Sequence, residues 1–209
     1  MKKNLLHTFC LLTLVTLSAP QAAEQLPIIE GVGGPFTAQG STGQRISLAD
    51  FRGKLILLFF GYTNCPDVCP TTFSLIKHVM RSIGKTADQV QVLFVTVDPE
   101  SDTPEHLREY LNYFHPNFIG VSGTRAEIDH ILTIFKARYE RKLDQQVTTR
   151  YNRFRSHDED FYLYSHSQQI YLLDHQGRTR ALFYIGTSPE VMRNNILQLI
   201  AEQETGHDH

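Results

Sequence analysis

Apolar positions along this chain follow two periods. Residues 55–60 form an unbroken apolar run and residues 90–97 a nearly unbroken one, the pattern of strands buried on both faces. Between them Phe73, Ile76, Met80 and Ile83 recur at helical spacing, and Gly84 closes the stretch. That helix is expected to begin near Cys69 and Pro70, because proline suits a first turn where its missing N–H would have no partner. Asp102 or Thr103 is expected to cap a second helix, with Pro104 in its first turn and Leu107, Tyr110, Leu111 and Phe114 inward. Residues 118–121 read as a short strand. Thr124 and Glu127 then make a capping box ahead of Ile128, Ile131, Leu132 and Phe135.

Both ends of the chain read as antiparallel pairs. Residues 36–39 and 44–48 flank Gly40-Ser41-Thr42-Gly43 as a hairpin would. Residues 161–164 and 169–173 flank His166 and are strand-like, and 179–185 return after a turn at Asp174-His175-Gln176-Gly177. A last helix is expected from Thr187 or Ser188 and Pro189, with Met192, Ile196, Leu199 and Ile200 inward. Residues 138–160 carry charge of both signs and read as an insertion. The order is hairpin, three β–α units, hairpin, helix. It predicts an α/β domain with a central mixed sheet flanked by helices, closed by an antiparallel hairpin and helix in the thioredoxin-like manner. The domain is expected over 36–203, after an extended linker at 24–35 and before a polar tail at 204–209.

The first residues follow a different logic. Lys2 and Lys3 precede an apolar stretch at 5–17, and small or turn-forming residues follow to Ala23. This is the layout of a secretory signal peptide over 1–23, and the apolar stretch is shorter than the ~20 residues that span a bilayer. Periplasmic release is expected, with retention by an uncleaved N-terminal anchor as the alternative. Hydrophobic content of 41% and charged content of 20% are those of a globular protein. The formal charge of -2, with no long basic run, gives no reason to expect a nucleic-acid partner.

Of three cysteines, Cys10 would leave with the signal, so Cys65 and Cys69 remain. A bridge between them closes a tiny loop and restrains the unfolded chain little, which makes a structural staple a poor explanation. Cys65 falls where a buried strand ends and Cys69 where a helix begins. A helix N-terminus presents unpaired N–H groups and partial positive charge, which favour thiolates. The pair can form a disulfide or bind a soft metal ion. Two thiolates are too few for a cluster held by four cysteines, and zinc in a structural site wants four ligands. Copper accepts two sulfurs and one imidazole.

The segment Tyr62-Thr63-Asn64-Cys65-Pro66-Asp67-Val68-Cys69-Pro70 resembles the signature of the Sco/SenC family. Val97-Asp98-Pro99-Glu100 with Asp102-Thr103-Pro104-Glu105, and His166-Ser167 ahead of Leu173-Asp174 and Gly177, match two further family segments in order. The resemblance covers residues 35–200. It implies a thioredoxin-like fold, one copper ion, Cu(I) or Cu(II), and Cys65, Cys69 and His166 as its ligands. It implies a metallochaperone that helps mature the copper centre of cytochrome c oxidase. The partners implied are the apo-oxidase copper subunit, a periplasmic thiol reductant and a second copper chaperone. Ser165 stands where relatives often carry Asp, which bears on the hydrogen bonding of the imidazole.

An enzymatic reading stands beside this one: a thiol–disulfide oxidoreductase, with Cys65 and Cys69 catalytic, that keeps target cysteines reduced for metallation. Oxidoreductases of this fold commonly place a cis-proline opposite the dithiol. The corresponding place falls near Gln168, and no proline occurs between Asp160 and Pro189. Thiol peroxidases place Thr three residues before the reactive cysteine, whereas Thr63 precedes Cys65 by two. Asp67 and Asp98 are candidates to support the site or simply to turn the chain. His78 and His106 read as solvated on amphipathic helices, and the histidines at 115, 130, 157 and 175 have no partner at ligand spacing; His207 and His209 form a small tail motif that reads as a frayed polar end, with weak metal binding as the alternative.

Overall fold

The computed structural model describes residues 25–142 and 163–206, so the expected signal segment and most of the 138–160 insertion lie outside the described residues. The chain begins with β1 (Thr37–Gly40) and β2 (Arg45–Ser47), then β3 (Leu55–Gly61), α1 (Val68–Ser82), β4 (Val90–Thr96) and α2 (Pro104–Phe114). It continues through β5 (Phe118–Ser122), α3 (Arg125–Ile134), β6 (Tyr139–Lys142) and β7 (Leu163–His166). It ends with β8 (Ile170–Leu173), β9 (Thr179–Phe183) and α4 (Pro189–Gly206). Single 3-10 turns at Leu48–Phe51 and Gly84–Gln89 lead into β3 and β4.

Seven strands form one mixed sheet in the order β2-β1-β5-β4-β3-β8-β9. β3, β4 and β5 run parallel, while β8, β9 and β1 are antiparallel to their neighbours. This is the expected thioredoxin-like plan, with the N-terminal hairpin joined to the sheet through β1 and β5. Every residue of β3 and of β4 is buried, which is what their continuous apolar runs required. On one face Phe59 and Phe94 pack against Phe73 of α1, which stacks on Phe114 of α2 at 4.4 Å. α4 lies beside α1 on that face. On the other face Phe60 meets Phe135 and Tyr171, and Phe135 meets Phe36.

The helix boundaries follow the capping chemistry. Thr103 accepts from the His106 N–H and starts α2, so Thr103 is the cap and Asp102 is not. Thr124 and Glu127 form the capping box of α3. α4 continues to Gly206, past the expected start of the polar tail.

Two parts of the chain differ from the sequence reading. The segment at 24–35 is not a free spacer over its described length. Ile29 N–H donates to Thr179 O at 2.8 Å, Leu26 N–H to Glu202, and the Arg180 guanidinium to Leu26 O. Arg180 also pairs with Asp174 and Glu202, closing a buried ionic cluster at the end of the sheet opposite the cysteines. The insertion, for its part, opens with a strand: β6 pairs antiparallel with β7, and the two make a separate ribbon. The sequence Tyr-Glu-Arg-Lys carries no apolar period, so only the pairing across residues 143–162 reveals that strand.

Candidate metal centre

Cys65 and Cys69 lie on the turn between β3 and α1. Cys65 N–H donates to Tyr62 O at 3.1 Å, which folds the turn, and Cys69 falls in the first turn of α1. The approach is close: a Cβ on Gly61 would stand 2.5 Å from the Cys69 sulfur and 2.6 Å from the Phe94 ring, so β3 must end in glycine. Asp67 occupies the cap position of α1 without a side-chain cap bond and is exposed. Its contribution is its backbone N–H, directed at the Cys65 sulfur.

Both cysteines are free thiols and buried, Cys69 to 1% exposure and Cys65 to 8%. Their acidities are driven apart. The Cys69 thiol donates to the Cys65 sulfur; His166 and the N–H groups of Cys69 and Asp67 add to this against the cost of burial, and Cys65 is brought down to about 4. The same hydrogen bond and deep burial push Cys69 well above the ordinary thiol value. The pair is therefore asymmetric, with Cys65 the more acidic sulfur and Cys69 the less acidic one.

His166 comes from the other side, at the end of β7. Its Nε2 lies 3.8 Å from the Cys69 sulfur, and its Nδ1 lies 2.9 Å from Ser167 O. A carbonyl can only accept, so Nδ1 donates to Ser167 O, which orients the ring with Nε2 facing the sulfurs. That partner is backbone, so the ring orientation does not depend on the exposed side chain of Ser165. The ligand atoms of Cys65, Cys69 and His166 all lie within 4.8 Å of one another. Sulfur and imidazole ligands of a first-row ion stand about 2.0–2.3 Å from it, so this triangle closes on one ion with shifts of under an ångström. Two cysteine sulfurs and one imidazole nitrogen are a soft donor set and fit copper.

Around the three groups sit further polar residues, of which only Asp98 is a candidate from the sequence. Asp102 is fully buried and accepts from Thr63 N–H at 3.1 Å, Thr63 Oγ1 at 2.5 Å and Thr96 Oγ1 at 2.6 Å. It ties the cysteine turn to the end of β4. Burial pushes its carboxyl up, against the pull of these donors. Thr63 has one proton and gives it to Asp102, so it accepts from His106 Nε2 at 3.0 Å. His106 is thus bonded although exposed. Asp98 is buried and accepts from the Tyr164 hydroxyl at 3.4 Å. Of the remaining described histidines, His78 and His130 are exposed, and His115 and His175 are half-buried with imidazoles pushed down in pKa by burial. Among the described residues, Cys65, Cys69 and His166 are the group that could hold a metal ion. His157, His207 and His209 lie outside the described residues.

Comparison with known proteins gives a consistent result. The family model described as SCO1/SenC matches residues 27–201. A SCO2-like protein of Rickettsia conorii is 33% identical over 187 residues, covering 88% of this chain and 85% of the relative. The structure of Bradyrhizobium japonicum ScoI with copper bound is similar at TM-score 0.67 and 34% identity, covering 81% of this chain and 98% of that one. Yeast Sco1 with copper bound is similar at TM-score 0.70 and 26% identity, covering 82% of this chain and 89% of that one.

Proposed function

The chain belongs to the SCO1/SenC family, and from that premise we propose that it is a periplasmic copper chaperone that holds one copper ion on Cys65, Cys69 and His166 and passes it to the apo copper subunit of cytochrome c oxidase. The Sco family is one of cytochrome c oxidase assembly proteins. The observation that carries the reading is the convergence of two buried free thiols and an imidazole, from separate parts of the chain, within 4.8 Å. A structural dithiol needs no imidazole beside it, and a buried histidine needs no thiolate.

The residues supply the steps of loading. Cys65, the more acidic of the two sulfurs, takes the ion first. Cys69 then releases its proton, because a cation at the sulfur replaces the hydrogen bond that kept it a thiol. Nε2 of His166 completes the set, the ring being oriented by the Nδ1 bond to Ser167 O. Copper supplies charge to be neutralised and is itself the cargo. Oxidation of the two thiols to a disulfide gives up two protons and two electrons and removes two ligands, so a periplasmic thiol reductant is needed to recharge the site. A second copper chaperone is the source of the ion in this reading. Residues 1–23 direct export, and no helix among the described residues is long and apolar enough to cross a membrane.

One observation favours a second reading. A depressed Cys65 beside an elevated Cys69 is the asymmetry of a dithiol reductase, in which the more acidic sulfur attacks and the less acidic, more deeply buried one resolves. In that reading the protein reduces the cysteines of its target. The two are separated by incubating the reduced, copper-loaded protein with the apo copper domain of the oxidase subunit, its own thiols already reduced. Transfer of one equivalent of copper, lost in His166→Ala, supports the chaperone. Retention of the copper, together with reduction of an oxidised target by metal-free protein with or without His166, supports the reductase.

A further inference from the structure

His166 rides on β7, which is outside the main sheet, so its height over the sulfurs is set by whatever fixes that strand. Tyr62 is the residue that does so from the cysteine side. It follows Gly61 directly, its carbonyl accepts the Cys65 N–H, and its side chain is buried to 1% exposure. Its hydroxyl accepts the backbone N–H of Tyr164 at 3.2 Å, two residues before His166. Its ring meets Tyr164 edge-on at 5.3 Å and stands perpendicular to the His166 ring at 6.0 Å. One side chain therefore touches the backbone of the histidine strand, the histidine ring and, through its own main chain, the cysteine turn.

His166 itself also reaches the cysteine turn, with Nε2 3.8 Å from the Cys69 sulfur and a hydrogen bond to the Cys65 sulfur. Tyr164 is held a second time through its hydroxyl, which donates to Asp98 beyond the end of β4. That bond is longer, at 3.4 Å, and reaches the strand through a side chain rather than the backbone. The Tyr62 bond is the shorter and more direct lever on the imidazole.

We propose that Tyr62 is the positioning residue for His166: its phenol oxygen anchors the Tyr164 amide and so fixes the imidazole over the two sulfurs. The proposal rests on the reading of His166 as the third copper ligand. Tyr62 does not touch the ion; it sets whether the nitrogen is in place when the ion arrives. Phenylalanine at this position keeps the ring contacts and deletes the bond.

The test uses full-length mature protein, wild type and Tyr62→Phe, in two arms. In the metal-free, reduced state, amide hydrogen exchange at Tyr164 and His166 is expected to rise about tenfold in Tyr62→Phe, with exchange in α1 unchanged. After loading with Cu(II), the nitrogen hyperfine signal is expected to weaken toward that of His166→Ala while thiolate-to-copper absorption persists. If Tyr62→Phe lowers overall stability, Tyr164→Phe serves as the second variant. It is expected to speed exchange at His166 in the same direction by a smaller factor. Exchange at Tyr164 and His166 equal to wild type in Tyr62→Phe overturns the proposal. Identical copper spectra for wild type and His166→Ala overturn the ligand reading instead, and the metal-free exchange arm still decides the role of Tyr62.

Discussion

The two cysteines and the histidine are mounted on very different supports. Cys65 and Cys69 stand at the end of β3, a seven-residue strand buried throughout, paired on both sides and roofed by α1. His166 stands at the end of a four-residue strand that is only half-buried and pairs with β6, itself mostly exposed. A two-stranded ribbon is marginal on its own. This one is pinned by the Tyr62 bond, by Tyr139 Oη donating to Asp129 at 3.0 Å, and by Arg125 over the Tyr139 ring at 5.1 Å. Two of the candidate ligands are thus fixed and the third is held by a few contacts. A structural metal site would fix all its ligands alike; an ion that must be taken up and given away is better served by one ligand that can leave.

That contrast can be broken most severely at the fixed side. Cys65→Ser or Cys69→Ser is expected to weaken copper binding on the order of a thousandfold or more, because each thiolate carries a large share of the binding free energy. Titration against a chelator of known affinity measures it. His166→Ala is expected to cost less, on the order of a hundredfold, and to leave the Cys65–Cys69 disulfide able to form. Equal losses for all three variants would mean that the ribbon is as rigid as the core.

Gly61→Ala tests the closeness of the cysteine mount. The added methyl would meet the Cys69 sulfur and the Phe94 ring, so about 1–3 kcal/mol of stability is expected to be lost in denaturant unfolding. Arg125→Ala, on the ribbon side, removes a cation–π contact and an ion pair with Glu100 that are partly exposed. Under about 1 kcal/mol of global stability is expected to go, while exchange of the β7 amides quickens.

The smallest effects concern pH and set the two poles of the sheet against each other. Asp174, at the pole away from the cysteines, is buried at a cost, but Arg178 and backbone donors at Gln176 and Arg178 hold its carboxyl below the ordinary 3.8. Its contribution is present above the unfolded value and is lost as pH falls through the folded one. Asp102, at the cysteine pole, is raised above 3.8 by burial, so the folded state gains stability as pH falls from the folded value to the unfolded one. In acid titrations of unfolding, Asp174→Asn is expected to remove a loss on acidification and Asp102→Asn to remove a gain. Slopes of the same sign for both carboxylates would contradict the assignment of their environments.

Much of the rigid half was legible in the sequence, and for a physical reason. Strands buried on both faces have continuous apolar runs, and Thr124 with Glu127 caps α3 through groups three residues apart. Local chemistry also placed the cysteine pair at a helix start. The loose half was read less well because its order is long-range. β6 is a strand only because residues of β7 pair with it, and the 24–35 segment is tied down by Thr179, Arg180 and Glu202, far along the chain. Of the two cap candidates Asp102 and Thr103, Thr103 is the cap, and Asp102 is the buried acceptor of Thr63 and Thr96. His166 was found through its family segment, since one histidine in a polar stretch carries no signal of its own. Tyr62 and Tyr164 offered a hint only in retrospect: two hydroxyls beside the site-bearing positions, each needing a partner once buried.

The central claim is that one ion is shared by two sulfurs from the core and one nitrogen from the ribbon. X-ray absorption on the reduced protein loaded with one equivalent of copper addresses it directly. The account predicts two sulfur scatterers and one histidine nitrogen in the wild type, with the nitrogen absent in His166→Ala. A wild-type shell identical to that of His166→Ala, or copper retained after both thiols are alkylated, would contradict it.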